Sequence, residues 1–144
     1  MRTLSLSGTK MALSLHDALI SIMVVTASSD EGISSHELDS IEDLIIRSPA
    51  FEGFDKARLE AVANAAVDRV NSEGLDGVLD AAVAALPERL QDTAYAFAVE
   101  VAAVDLHLPQ EQLRLLEMLR DKLSVDRLVT AAIEASARAR MRRA

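Results

Sequence analysis

The sequence predicts an all-α fold, a compact bundle of about seven helices, and three observations carry that prediction. Twenty-four of the 144 residues are alanine, the strongest helix former. From Ser14 onward, apolar residues recur at helical spacing, with no strand-like alternation. The chain is 50% hydrophobic but only 3% aromatic, and it has no cysteine. Its core must therefore be aliphatic, and a chain of this length can bury enough surface to fold without disulfides or thiolate-bound metal.

The elements follow in order. Residues 1–13, rich in Ser, Thr and Gly, read as a flexible lead-in, and 14–144 as a single helical domain. Ser14 is a good N-cap for a first helix over Leu15–Ser28, with Leu15, Leu19, Ile22 and Thr26 on one face. Ser34-Ser35-His36-Glu37 is a capping box that opens a second helix, with Leu38, Ile41 and Ile45 inward and a stop before Ser48-Pro49. Phe51 and Phe54 belong to a loop that plugs the bundle. Asp55 caps a third helix with core positions Leu59, Val62, Ala66 and Val70, and Gly74 closes it. A short fourth helix covers Gly77–Ala85. Pro87 suits the first turn of a fifth helix to about Val104, and Pro109 starts a sixth with Leu116, Leu119 and Leu123 inward. Ser124 caps a seventh through about Arg140, with Leu128, Val129, Ala132 and Ile133 inside. The connections are short, so consecutive helices are expected to be antiparallel neighbours.

Charge narrows the function. The net charge of −8 disfavours nucleic acid and anionic membrane as main partners, and the scarcity of aromatics argues against base stacking. Arg138, Arg140, Arg142 and Arg143 give the tail +4, so the rest of the chain carries −12. Basic residues at a helix C-terminus complement the macrodipole, and that is the simpler reading of the tail. The longest apolar run, Ala18–Ala27, is far short of a membrane span. Asp17 directly before it spoils a signal peptide, so the expected location is the cytoplasm.

A shift of 75 residues lays the first helical hairpin, Ala18–Arg47, on Thr93–Lys122. Val24, Ala27, Asp30, Leu38, Glu42 and Leu44 then meet identical residues at Val99, Ala102, Asp105, Leu113, Glu117 and Leu119. This is the trace expected of a duplicated hairpin. Each copy places an Asp past the end of one helix and another acid on the first turn of the next. If the copies pack about a pseudo-twofold, Asp30, Glu37, Glu100, Asp105 and Glu111 converge, and carboxylates that close hold a cation or stay wet. Local structure already explains some of them: Glu37 as the acid of a capping box, Glu111 by the dipole at a helix start. Asp105 and Glu100 follow an apolar stretch near a helix C-terminus, where an acid is mildly unfavourable, and are the least explained. His36 and His107 lack the i, i+4 partner of a helical zinc motif, and the methionines read as packing. Asp30-Glu31-Gly32 lacks the later acids of an EF-hand. There is no glycine-rich phosphate loop, nucleophile elbow or Ser-His-Asp order.

The chain resembles the tellurite-resistance TerB family, in its short single-domain bacterial form, from about Leu15 to Arg143. The resemblance rests on the run from Ser28 to Leu38, on Leu86-Pro87-Glu88-Arg89-Leu90, and on the run from Tyr95 to Asp105. It continues through Glu111-Gln112-Leu113-Arg114-Leu115-Leu116-Glu117 and Asp126-Arg127-Leu128-Val129. It implies a duplicated helical fold with an acidic cluster that binds divalent cations, mapping onto Asp30, Glu37, Glu100, Asp105 and Glu111. It also implies a link to tellurite resistance and wider stress responses, with related domains in membrane-linked proteins. The chain departs from the family pattern at Gly32, Leu106 and Gln112, where further acid or glycine is usual.

Two functions follow as expectations. One is a non-enzymatic stress-response protein that senses a divalent cation: Ca²⁺ or Mg²⁺ with all-oxygen ligands, Zn²⁺ or Mn²⁺ if His36 or His107 joins. The other is a metal-free helical module whose acidic face docks a basic partner, another protein or a membrane-associated complex. An enzyme ranks third, because no nucleophile pairs with a base.

Overall fold

The computed structural model describes residues 13–28, 32–103 and 110–144. It is an all-α bundle of seven helices among those residues: α1 (Leu15–Ala27), α2 (Ser35–Arg47), α3 (Leu59–Glu73), α4 (Leu75–Ala84), α5 (Gln91–Ala103), α6 (Gln110–Lys122) and α7 (Arg127–Arg140). Short 3₁₀ turns precede α3 and α5 and follow α2.

Helix α1 is the axis. The sequence suggested one buried face, but every residue from Ala18 to Ala27 is buried, including Ser21 and Thr26. A helix apolar all round belongs at the centre of a bundle, and α1 packs on α3, α4 and α5. The two hydroxyls survive there because each bonds back to its own helix, Ser21 Oγ to Asp17 O and Thr26 Oγ1 to Ile22 O, both at 2.8 Å. One continuous core joins α1 to residues of all the other helices, from Ala18 to Ala137.

The helix signals are mostly realised as written. Ser14 accepts from Asp17 N at 3.1 Å. Ser34 and Glu37 form both bonds of the capping box, at 3.1 and 2.9 Å. Asp55 caps a 3₁₀ turn, Lys56–Arg58, that runs into α3 without a break, and Pro87 likewise precedes the turn Glu88–Leu90 ahead of α5. The fourth helix starts two residues earlier than its expected Gly77, because Gly74 at φ 86° turns the chain in a single residue. Phe51 is buried and, with Phe54, His16 and Phe97, builds a ring cluster with centroids 5.3–5.8 Å apart. His16 Nε2 also bonds Ala50 O at 2.9 Å, fastening the post-α2 loop onto α1.

The seventh helix departs from expectation in two ways. Asp126, not Ser124, is its cap, accepting from Leu128 N at 2.7 Å. Ser124 N is already engaged by Gln91 Oε1 at 2.6 Å. The inward face is also different. Leu128 is 81% and Val129 39% exposed, Ala132 is exposed and Ile133 half-buried, whereas Thr130 and Ala137 are buried. The helix is turned so that Glu134 reaches a buried tyrosine, and the stripe 130–134–137–141 follows from that. It also lies along α5 rather than along its predecessor α6, so these consecutive helices are not close neighbours.

The 75-residue register is visible in the elements themselves. Shifting α2 by 75 reproduces the bounds of α6, and shifting α1 gives 90–102 against 91–103 for α5. Val24 and Val99, Ala27 and Ala102, and Leu44 and Leu119 are all buried.

Candidate functional site

The two hairpins share the apolar core, and one side chain adds a polar tie between them. Gln112, on the first turn of α6, donates from Nε2 to Thr26 O at 3.0 Å, on the last turn of α1. The last carbonyls of a helix lack intrahelical partners, so this bond satisfies one of them and holds the first turn of α6 against the last turn of α1. The other atom of the amide, Gln112 Oε1, is buried and has no hydrogen-bond partner among the described residues.

Of the five acids singled out in the sequence, three can be placed. Glu37 Oε1 accepts the Ser34 backbone amide, so its carboxylate is tied to the start of α2. Glu100, on the penultimate turn of α5, is held by Arg140, whose Nη1 lies 2.7 Å from Oε1 and 3.0 Å from Oε2. That arginine explains an acid which seemed misplaced near a helix C-terminus. Glu111 is exposed on the first turn of α6. Asp30 and Asp105 lie outside the described residues, as does His107, and His36 is exposed at the start of α2. Among the described residues, no three His, Asp or Glu side chains converge as a metal cage.

Glu100 does not fit a divalent cation while Arg140 neutralises it, since a bound guanidinium occupies both oxygens a cation would take. Glu111 and the second oxygen of Glu37 are carboxylate oxygens of the hard kind that Ca²⁺ or Mg²⁺ takes. Gln112 Oε1 fits as well, because hard cations take amide carbonyl oxygens readily and a buried acceptor without a donor is costly.

A second polar cluster escaped sequence reasoning. Tyr95 is fully buried, and its hydroxyl donates to Glu134 Oε2 at 2.5 Å. Arg120 Nη1 bonds the same carboxylate oxygen at 2.9 Å and approaches the phenol oxygen at 3.5 Å. Burial, then the hydrogen bond and negative charge of Glu134, pushes the Tyr95 phenol up to about 12. For Arg120, burial pulls the pKa down, but Tyr95 and Glu134 together outweigh it and the guanidinium is held above its usual value. The phenol therefore stays protonated and the cluster is a fixed structural clamp of α5, α6 and α7. Arg120 and Glu134 lie 25 and 39 residues from Tyr95, separations with no local periodicity, so the sequence carries no signal of the cluster.

Lys122, at the end of α6, reaches Asp76 and Asp80 of α4, each at 2.7 Å, and both carboxylates raise its pKa. Comparison with family models, with curated proteins and with solved structures finds no match for the chain. No helix among the described residues is long and apolar enough to cross a membrane.

Proposed function

We propose that this chain is a non-catalytic, divalent-cation-responsive stress protein of the kind its resemblance to the TerB family implies, with the cation shared between the two hairpin corners. The observation that carries the reading is Gln112. Its Nε2 ties the first turn of α6 to the last turn of α1, and its buried Oε1 has no hydrogen-bond partner among the described residues. Glu111, the free oxygen of Glu37 and the Gln112 carbonyl form one part of the ligand set, and Asp30 and Asp105 of the corner segments supply the rest. An all-oxygen set of this kind favours Ca²⁺ or Mg²⁺ over Zn²⁺. Glu100 is reserved for Arg140. The chain's acidity outside its tail supports the same choice of partner through long-range attraction of cations.

The test is calorimetric titration and thermal melting with Ca²⁺, Mg²⁺, Zn²⁺ and Mn²⁺. A ligand bound only by the folded chain adds ~2.7 kcal/mol of stability at a hundredfold excess over its dissociation constant. The melt is expected to rise with Ca²⁺ or Mg²⁺, and Asp105→Asn or Glu111→Gln should remove most of that rise. The metal-free variants should be as stable as the parent or slightly more so, because repulsion between acids is relieved. If no divalent ion moves the melt at millimolar concentration, the cation reading fails and the acidic end is better explained as a docking face for a basic partner.

A further inference from the structure

The displacement of α7 from α6 opens a groove of about 610 Å³ between α5, α6 and α7. Its floor is Val99 and Ala102 of α5, Leu113 and Leu116 of α6, and Ala137 and Met141 at the α7 side. The Tyr95–Glu134–Arg120 clamp fixes one end. At the other stand Arg138, Arg142 and Arg143. We propose that this groove binds a single-chain amphiphilic anion, an alkyl carboxylate of the fatty-acid class, with the head group among the three arginines and the chain along the apolar floor.

Size and shape come first. Volumes of 300–1,000 Å³ with mainly apolar walls and a few polar groups are typical of small-molecule sites. From Tyr95 to Ala103 the groove runs about 12 Å along α5, at ~1.5 Å per residue. Its alanines leave a slot suited to a hydrocarbon chain rather than to a helix 10–12 Å across. Leu113 is 46% exposed on this floor, apolar surface that an alkyl chain would cover.

Charge selects the head group. The groove is lined by Arg120, Arg138, Arg142 and Arg143 against Glu117 and Glu134. Arg120 is spent on Glu134, and Arg140 is turned away to Glu100. The remaining three arginines are exposed and make no ion pair among the described residues. A local positive excess on a chain of net charge −8 attracts an anion to this one mouth. Complementing the helix dipole accounts for Arg138 and Arg140 in the last turn of α7. It does not account for Arg142 and Arg143, which lie beyond the helix end and still line the groove. Guanidinium groups grip carboxylates through paired N–H donors, which gives the site its preference for that head group.

The experiment titrates the full chain with dodecanoate below its micelle concentration. It is read by calorimetry and by the fluorescence of Tyr95, the chain's single tyrosine and part of the groove wall. Saturable one-to-one binding with a change in the tyrosine signal is expected. Acetate should not bind, and dodecyltrimethylammonium should bind at least tenfold more weakly. The double variant Arg142→Gln, Arg143→Gln and, separately, Leu113→Gln should each weaken dodecanoate at least tenfold while keeping the parent's melt, since all three side chains are exposed. Equal affinity for the anionic and cationic amphiphiles, or indifference to the arginine changes, overturns the proposal. So does attachment only to anionic phospholipid vesicles or to an acidic helical peptide, with no binding of monomeric dodecanoate.

Discussion

Replacing Tyr95 by Phe removes one oxygen from the core and asks what the three-helix clamp contributes. The hydroxyl is fully buried and donates to a carboxylate, a class of bond that contributes about 1.5–3 kcal/mol. Glu134 keeps Arg120 at 2.9 Å and is 28% exposed, so water can reach the vacated lone pair. The cost should therefore sit at the low end, about 1–2 kcal/mol. The alkaline limb gives a second, independent magnitude. The folded-state pKa of about 12 lies above the ordinary 10.0 of the unfolded chain, so between these values the folded state keeps a proton that the unfolded state has released. This contribution is fully present below pH 10 and is lost as the pH rises toward 12. At ~1.36 kcal/mol per unit the ceiling is about 2.7 kcal/mol, and solvent access to Glu134 and Arg120 brings it to about 1–2 kcal/mol. Urea unfolding from pH 7 to 12 measures both effects, and the near-ultraviolet absorbance of the phenolate follows the one tyrosine directly. The lysines are common to parent and variant, so the difference between the two isolates Tyr95. A phenolate midpoint near 10, or a Phe variant as stable as the parent at pH 7, would refute the clamp.

Two further outcomes test the scaffold. Gly74→Ala should cost about 1–2 kcal/mol in chemical unfolding because φ is 86°, whereas Gly77→Ala, whose added carbon meets only Glu73 Cβ at 3.9 Å, should stabilise by about 0.5–1 kcal/mol. His16→Ala should lower stability by about 1–3 kcal/mol, through loss of the Ala50 bond and the stack on Phe51, and should raise amide exchange over residues 48–54 more than elsewhere.

Most of the helix starts and stops were legible because their causes are local. A capping serine, a glycine forced to positive φ, or a proline before a first turn acts within four residues and can be read without knowing what the helix will touch. The core rows of α3 and α6 were legible for the same reason, since a 3.6-residue period fixes which side chains share a face. The 75-residue repeat was legible too, and the matching bounds of α2 and α6 follow it.

The orientation of α7 was not legible. Its apolar residues, Leu128, Val129, Ala132 and Ile133, offered one face, and the helix buried another because Glu134 finds Tyr95 and Arg120 across 39 and 14 residues. Turning α7 to bury Leu128 would carry Glu134 away from the buried Tyr95 hydroxyl and leave that hydroxyl unsatisfied, so the observed orientation keeps the polar clamp. The same rotation opens the arginine-lined groove, which no window of sequence contains. Glu100 likewise reads as an unexplained acid until Arg140 is brought to it by packing of α7 on α5. Sequence alone determined where the helices are and that they are helices, since those depend on neighbours along the chain. Tertiary structure decided which faces turn inward and which charges are spent, because those depend on partners that only the fold brings within 3 Å.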